Sequence, residues 1–103
     1  MSYKFLQLKK ATDDKHKYEA VFLNTKTDNK KTVKFGAIKQ NGEPYEDFTT
    51  HKDPERKERY IKRHEKREDW NNPLSSGALS RWILWNKETI KDSLIDYLKR
   101  FNL

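Results

Sequence analysis

The sequence predicts an α+β domain: an N-terminal meander forming a three- to four-stranded antiparallel sheet, followed by three helices packed on it. Three observations predict it. Short aromatic and β-branched runs separated by turn residues fill the first half. Apolar positions at helical spacing fill the second half, and the switch falls at a helix start, Asp53-Pro54. A chain of 103 residues makes one domain, 1–103, divided into a β-meander over 1–50 and a helical part over 51–103. Hydrophobic residues are only 33%, but thirteen aromatics (five Phe, five Tyr, three Trp) can each bury about 150 to 250 Å², so a folded core with a charged skin follows.

Tyr3 to Lys9 (YKFLQLK) and Tyr18 to Asn24 (YEAVFLN) read as a hairpin around the polar run Ala11 to Lys17. In the second strand Tyr18, Ala20 and Phe22 share one face, with Val21 and Leu23 on the other. A third strand, Thr32 to Lys39 (TVKFGAIK), follows the turn Thr25 to Lys31, where Asp28 and Asn29 tolerate positive φ. Gly36 within it marks a bulge or a close approach by another part of the chain. Asn41-Gly42 is a turn signal, and Tyr45 to Thr50 is expected to return as a short fourth strand.

The helical part opens with HKDPERKERYIKRHEKREDW, His51 to Trp70. Asp53 can cap a free first-turn amide and Pro54 suits the first helical position. Asn71-Asn72-Pro73 is expected to end this helix, with Trp70 packing inward. Ser75 or Ser76 then caps a short helix, Gly77 to Trp85, carrying Ala78, Leu79, Trp82, Ile83 and Trp85 on one side. Asn86 is expected to cap the last helix, whose Ile90, Leu94, Tyr97, Leu98 and Phe101 fall on one face.

Charge points to function. The net charge is +7, and residues 51–67 carry eight Lys/Arg against four Asp/Glu, more than half of that excess. Four of the six arginines, Arg56, Arg59, Arg63 and Arg67, stand in this one helix. At 3.6 residues per turn they fall in a stripe roughly 80° wide, with Lys66 at its edge and Tyr60, Ile61 and His64 beside it. The guanidinium fork fits phosphate and carboxylate better than an ammonium does, so Arg56, Arg59, Arg63, Lys66 and Arg67 are the candidate contacts to a polyanion.

Other chemistry finds little support. Glu55 and Lys57 have the Glu-x-Lys spacing of a nuclease metal site, but on a helix the two side chains diverge by about 200°. With no cysteine and only His16, His51 and His64, no zinc site and no disulfide is expected. The three glycines make no phosphate loop, and no cofactor is implied. Trp70, Trp82 and Trp85 fit core packing better than base stacking, and His64 fits a partly buried, hydrogen-bonded state. No apolar run reaches the ~20 residues of a membrane span, and a soluble, intracellular protein is expected.

The block His51 to Trp70, the preceding KFGA, and LSSGALSRWILWNKETIKDSLIDYLKRF resemble a family of small uncharacterised proteins of nucleocytoplasmic large DNA viruses, the giant viruses of algae and protists. The resemblance spans Lys34 to Phe101 and leaves residues 1–30 uncovered. It implies a viral protein in the host cell cytoplasm or viral factory, in the virion, or in the nucleus. It supplies no catalytic residues. Two functions are therefore expected. One is a small basic non-enzymatic protein that binds nucleic acid through phosphate contacts. The alternative is a minor capsid or virion adaptor protein whose arginines meet acidic surfaces of other virion proteins.

Overall fold

The computed structural model describes residues 2–103. Strands β1 (Tyr3–Lys10), β2 (His16–Asn24) and β3 (Lys30–Ala37) form one antiparallel sheet in the order β1-β2-β3. Four helices follow among the described residues. α1 is a single turn, Phe48–His51, and α2 spans Pro54–His64. α3 is α-helical over Ser76–Leu79 and π-helical over Ser80–Leu84, and α4 spans Ile90–Phe101. The α+β architecture of a meander followed by helices is the one the sequence predicts.

Side chains make both hairpin turns. Asp13 Oδ1 accepts from the backbone amides of Lys15 and His16, closing the β1–β2 turn. Asn24 Oδ1 accepts from the amides of Lys26 and Thr27, and Asp28 takes φ 60° in the β2–β3 turn. In β1 the register slips between Phe5 and Gln7, leaving Leu6 as an extra residue, 40% exposed. Ala20, Phe22 and Phe35 form the sheet's share of the core and meet Leu79, Ile83, Leu84 and Tyr97 from the helices. Gly36, at φ +85°, lies where α3 crosses the end of β3. A Cβ there would stand 2.9 Å from Cβ of Lys17 and 3.2 Å from Cδ1 of Leu84.

Three expectations need correction. The fourth strand over Tyr45 to Thr50 is absent: Pro44 makes one bridge to Ile38, and Asp47 then starts α1. Asp47 accepts from the Thr49 amide while Thr50 Oγ1 receives the Asp47 amide, a reciprocal cap that outweighs the β-propensity of the run. The basic helix ends at His64 and does not reach Trp70. Glu65 to Asp69 contains nothing apolar to bury, and the amides of Arg67 and Glu68 both close back on the His64 carbonyl. The last helix is capped by Thr89, whose hydroxyl accepts from the Asp92 amide; Asn86 instead braces the Trp82 carbonyl and the Asp96 carboxylate. The three expected helices are present among the described residues as α2, α3 and α4, and α1 adds a single turn before them.

The π-helical half of α3 has a packing reason. The Trp85 amide donates to the Ser80 carbonyl five residues back, and this wider turn swings Leu84 back toward the side of Leu79. Both are buried, at 0% and 2% exposure. With 3.6 residues per turn Leu84 would be swung well away from Leu79. Ser75, not Ser76, is the cap of this helix, accepting from the Ala78 amide.

Candidate nucleic-acid interface

A cleft of about 590 Å³ lies between α2, the end of β3 and the start of α3. Arg56, Arg59 and Arg63 line its α2 wall. Gly36 and Ala37 line the β3 side, and Ser76, Gly77 and Ser80 face them from α3. The arginine stripe is therefore one wall of a concavity rather than an open convex helix face. Among the candidate contacts these three are brought together. Lys66 and Arg67 stand exposed in the turn beyond α2 and do not line the cleft.

What holds the wall in place was not visible in the basic helix alone. No residue of α2 is fully buried. The helix is fastened by an aromatic column: the Tyr60 ring lies parallel to Trp85 at 4.3 Å (3° between planes) and stacks on His64 at 4.3 Å. His51 meets Trp85 at 5.3 Å. Lys57 donates to the Asn86 carbonyl at 2.6 Å, and Arg81 to the Trp85 carbonyl at 2.7 Å, so two cations satisfy carbonyls left free at the C-terminal end of α3. Burial, with Arg81 and Lys87 nearby, holds the Lys57 ammonium below its ordinary pKa. Burial also pushes the Tyr60 phenol up.

The acids of the cleft are engaged within the fold. Asp47 is buried at 2% exposure and accepts from Lys17 Nζ at 2.6 Å. Their side chains are only 3% and 9% exposed, which makes this pair the dry floor of the cleft. Glu68 takes His64 on one oxygen and the Trp70 indole on the other, both at 2.9 Å. Glu46 holds Arg56 at 2.9 Å, and that guanidinium lowers the pKa of the carboxyl. Arg59 and Arg63 have no carboxylate within 4.0 Å among the described residues. Sequence reasoning missed Lys17 and Asp47, which lie thirty residues apart, and no local pattern links them.

The three tryptophans are structural. Trp82 donates to the Trp70 carbonyl at 3.0 Å and carries the guanidiniums of Arg81 and Arg100 at 4.3 and 3.9 Å. Glu55 and Lys57 do not converge on a metal, and among the described residues no group of three or more His, Asp or Glu side chains is placed to hold one. No helix among the described residues is long and apolar enough to cross a membrane.

Comparison with curated proteins and with solved structures finds no match. A family model does match, and its span takes in most of β1, all of β2 and β3, α1 and α2, including Lys17, Asp47 and the three arginines of the cleft. By that match over residues 6–64, the chain belongs to the family of unknown function DUF5754.

Proposed function

We propose that this chain is a small, basic, non-enzymatic module that binds nucleic acid through phosphate contacts from Arg56, Arg59 and Arg63. The observation that carries the reading is the pairing pattern of the cleft. Its acids are already held by Lys17, Arg56, His64 and Trp70, while Arg59 and Arg63 line the same cavity with no carboxylate partner among the described residues. Guanidiniums presented in this way favour phosphate oxygens. The resemblance of Lys34 to Phe101 to giant-virus proteins supports a setting in an infected host cell or its virions.

Binding is expected to be salt-dependent and weakly sequence-specific. Three neutralised phosphates correspond to a log–log salt slope near −2.7 on duplex DNA, at about −0.9 per phosphate. The test is fluorescence anisotropy with labelled DNA at low salt on the wild type and on the triple variant Arg56→Glu, Arg59→Glu, Arg63→Glu. The variant is expected to fold, since among the described residues only Arg56 of the three has an ion-pair partner and that pair is well exposed. It should bind roughly 100-fold or more weakly, with the slope collapsing. A wild type that fails to bind at low salt, or whose binding ignores salt, refutes the proposal.

One observation favours a second reading, the virion adaptor. The sheet face turned away from the helices sets Lys4 and Lys30 on either side of Leu23, with Leu6 exposed nearby. An acidic protein surface fits there. Capture of an acidic protein that is lost on the arginine reversals or on Lys4→Glu/Lys30→Glu, with no binding of nucleic acid by the wild type, is the result that selects this reading.

A further inference from the structure

Tyr45 is the only aromatic ring at least half exposed among the described residues, at 52%. It lines the arginine cleft and also an adjoining cleft of about 480 Å³, so it stands on their shared rim. The ring is not on a loose loop. The Tyr45 amide donates to the Ala37 carbonyl, Pro44 bridges Ile38, and the Lys39 amide closes the turn on the Glu43 carbonyl. Lys39 Nζ lies 5.6 Å from the ring centroid, and the next residue, Glu46, reaches Arg56. The other aromatics beside the cleft are committed. Tyr60 has His64 and Trp85 stacked on it, and Trp85 has Tyr60 and His51.

Resting on the phosphate-binding reading, we propose that Tyr45 is a stacking platform for an unpaired nucleobase and that the cleft takes single-stranded nucleic acid in preference to duplex. The physical argument has two parts. A base within a duplex already has both faces covered, whereas every unpaired base offers a π-face to a fixed aromatic ring beside positive charge. A cavity of about 590 Å³ is the size of a small-molecule site and admits a nucleotide unit, not a double helix. Phosphates flanking the stacked base lie on Arg59 and Arg63, and Lys39 adds charge beside the ring. Base identity matters little to such a site.

The experiment compares an oligothymidine of about 12 nucleotides with a duplex of equal length, by anisotropy at low salt, for the wild type, Tyr45→Phe and Tyr45→Ala. The wild type should prefer the single strand. Tyr45→Phe should retain that preference, and Tyr45→Ala should weaken single-strand binding by roughly 5- to 150-fold while leaving duplex binding unchanged. Thermal melts check that both variants fold. If Tyr45→Ala binds the single strand as the wild type does, or loses strand and duplex equally, the platform is refuted while phosphate binding stands. If the wild type binds neither nucleic acid, the failure lies with the phosphate-binding reading, and this inference goes with it.

Discussion

Replacing Asp47 by Asn isolates the charge of the buried pair beneath the cleft. Asparagine is as good a helix cap as aspartate, so the bond from the Thr49 amide survives. What changes is the other side-chain atom, which accepts from Lys17 at 2.6 Å and becomes an amide donor facing an ammonium. With the two side chains 9% and 3% exposed, Lys17 is left as an uncompensated buried charge, at a cost of roughly 3 to 5 kcal/mol. A domain of this length has only about 5 to 15 kcal/mol in total. Lys17→Met should cost a comparable amount, because the Asp47 carboxylate then keeps only its bonds to Thr49. The double variant should lose far less than the sum, since neither charge remains to be solvated. Urea melts at neutral pH measure all four proteins. With an m-value near 2 kcal/mol/M, each single change should lower the midpoint by roughly 2 M. Single variants within about 0.5 kcal/mol of wild type, or a strictly additive double variant, refute the claim that the floor of the cleft is dry and held by this pair.

Two further perturbations probe the docking of α2. Tyr60→Ala removes the ring between His64 and Trp85, and the lost packing should destabilise the domain by about 2 to 4 kcal/mol; Tyr60→Leu, which keeps volume, should recover part of it in the same melts. His51 contributes pH dependence. Burial first, and Arg56 second, depress its pKa below the ordinary 6.5, against opposing pulls from Asp53, Glu46 and Asp47. Its Nδ1 accepts from the Asp53 amide, so the folded state holds the neutral ring. As pH falls below 6.5 the unfolded chain takes up the proton first, so the His51 contribution is full above that pH and is lost on acidification. Melts across this range should show stability rising with pH, and His51→Asn, whose side-chain oxygen can replace Nδ1, should flatten the slope; an unchanged slope refutes the assignment.

The strands and α4 were legible because their signals are local and agree with one another. Tyr18, Ala20 and Phe22 recur at the strand's period of two in an aromatic and β-branched run, and Tyr97, Leu98 and Phe101 repeat at helical spacing; each pattern survives in the core. Errors arose where a local signal met a tertiary competitor. Tyr45 to Thr50 has strand composition, yet the Asp47–Thr50 cap and the Asp47–Lys17 pair commit that segment to a helical turn. The span after His64 carries no breaker until Pro73, but the helix ends earlier, where its chain has nothing more to bury and Glu68 turns in toward His64 and Trp70. Asn86 resembles a cap and is spent on Asp96, Trp82 and Lys57 instead.

The same distinction applies to the site. Helical geometry alone placed Arg56, Arg59 and Arg63 on one stripe, but whether that stripe faces bulk water or a cavity depends on where α2 docks. That position is set by partners twenty-five and twenty-nine residues away, Trp85 against Tyr60 and the Asn86 carbonyl on Lys57. An aromatic stack and a capped carbonyl leave no periodic trace in a sequence. They also hold α2 without any fully buried side chain, so this helix is among the more weakly anchored elements of the domain. A polyanion gripping Arg59 and Arg63 on α2, and Tyr45 on the segment pinned to β3, would tie the helix to the sheet. Ligand binding and α2 docking would then stabilise each other, because a ligand that favours the docked state raises its population by mass action.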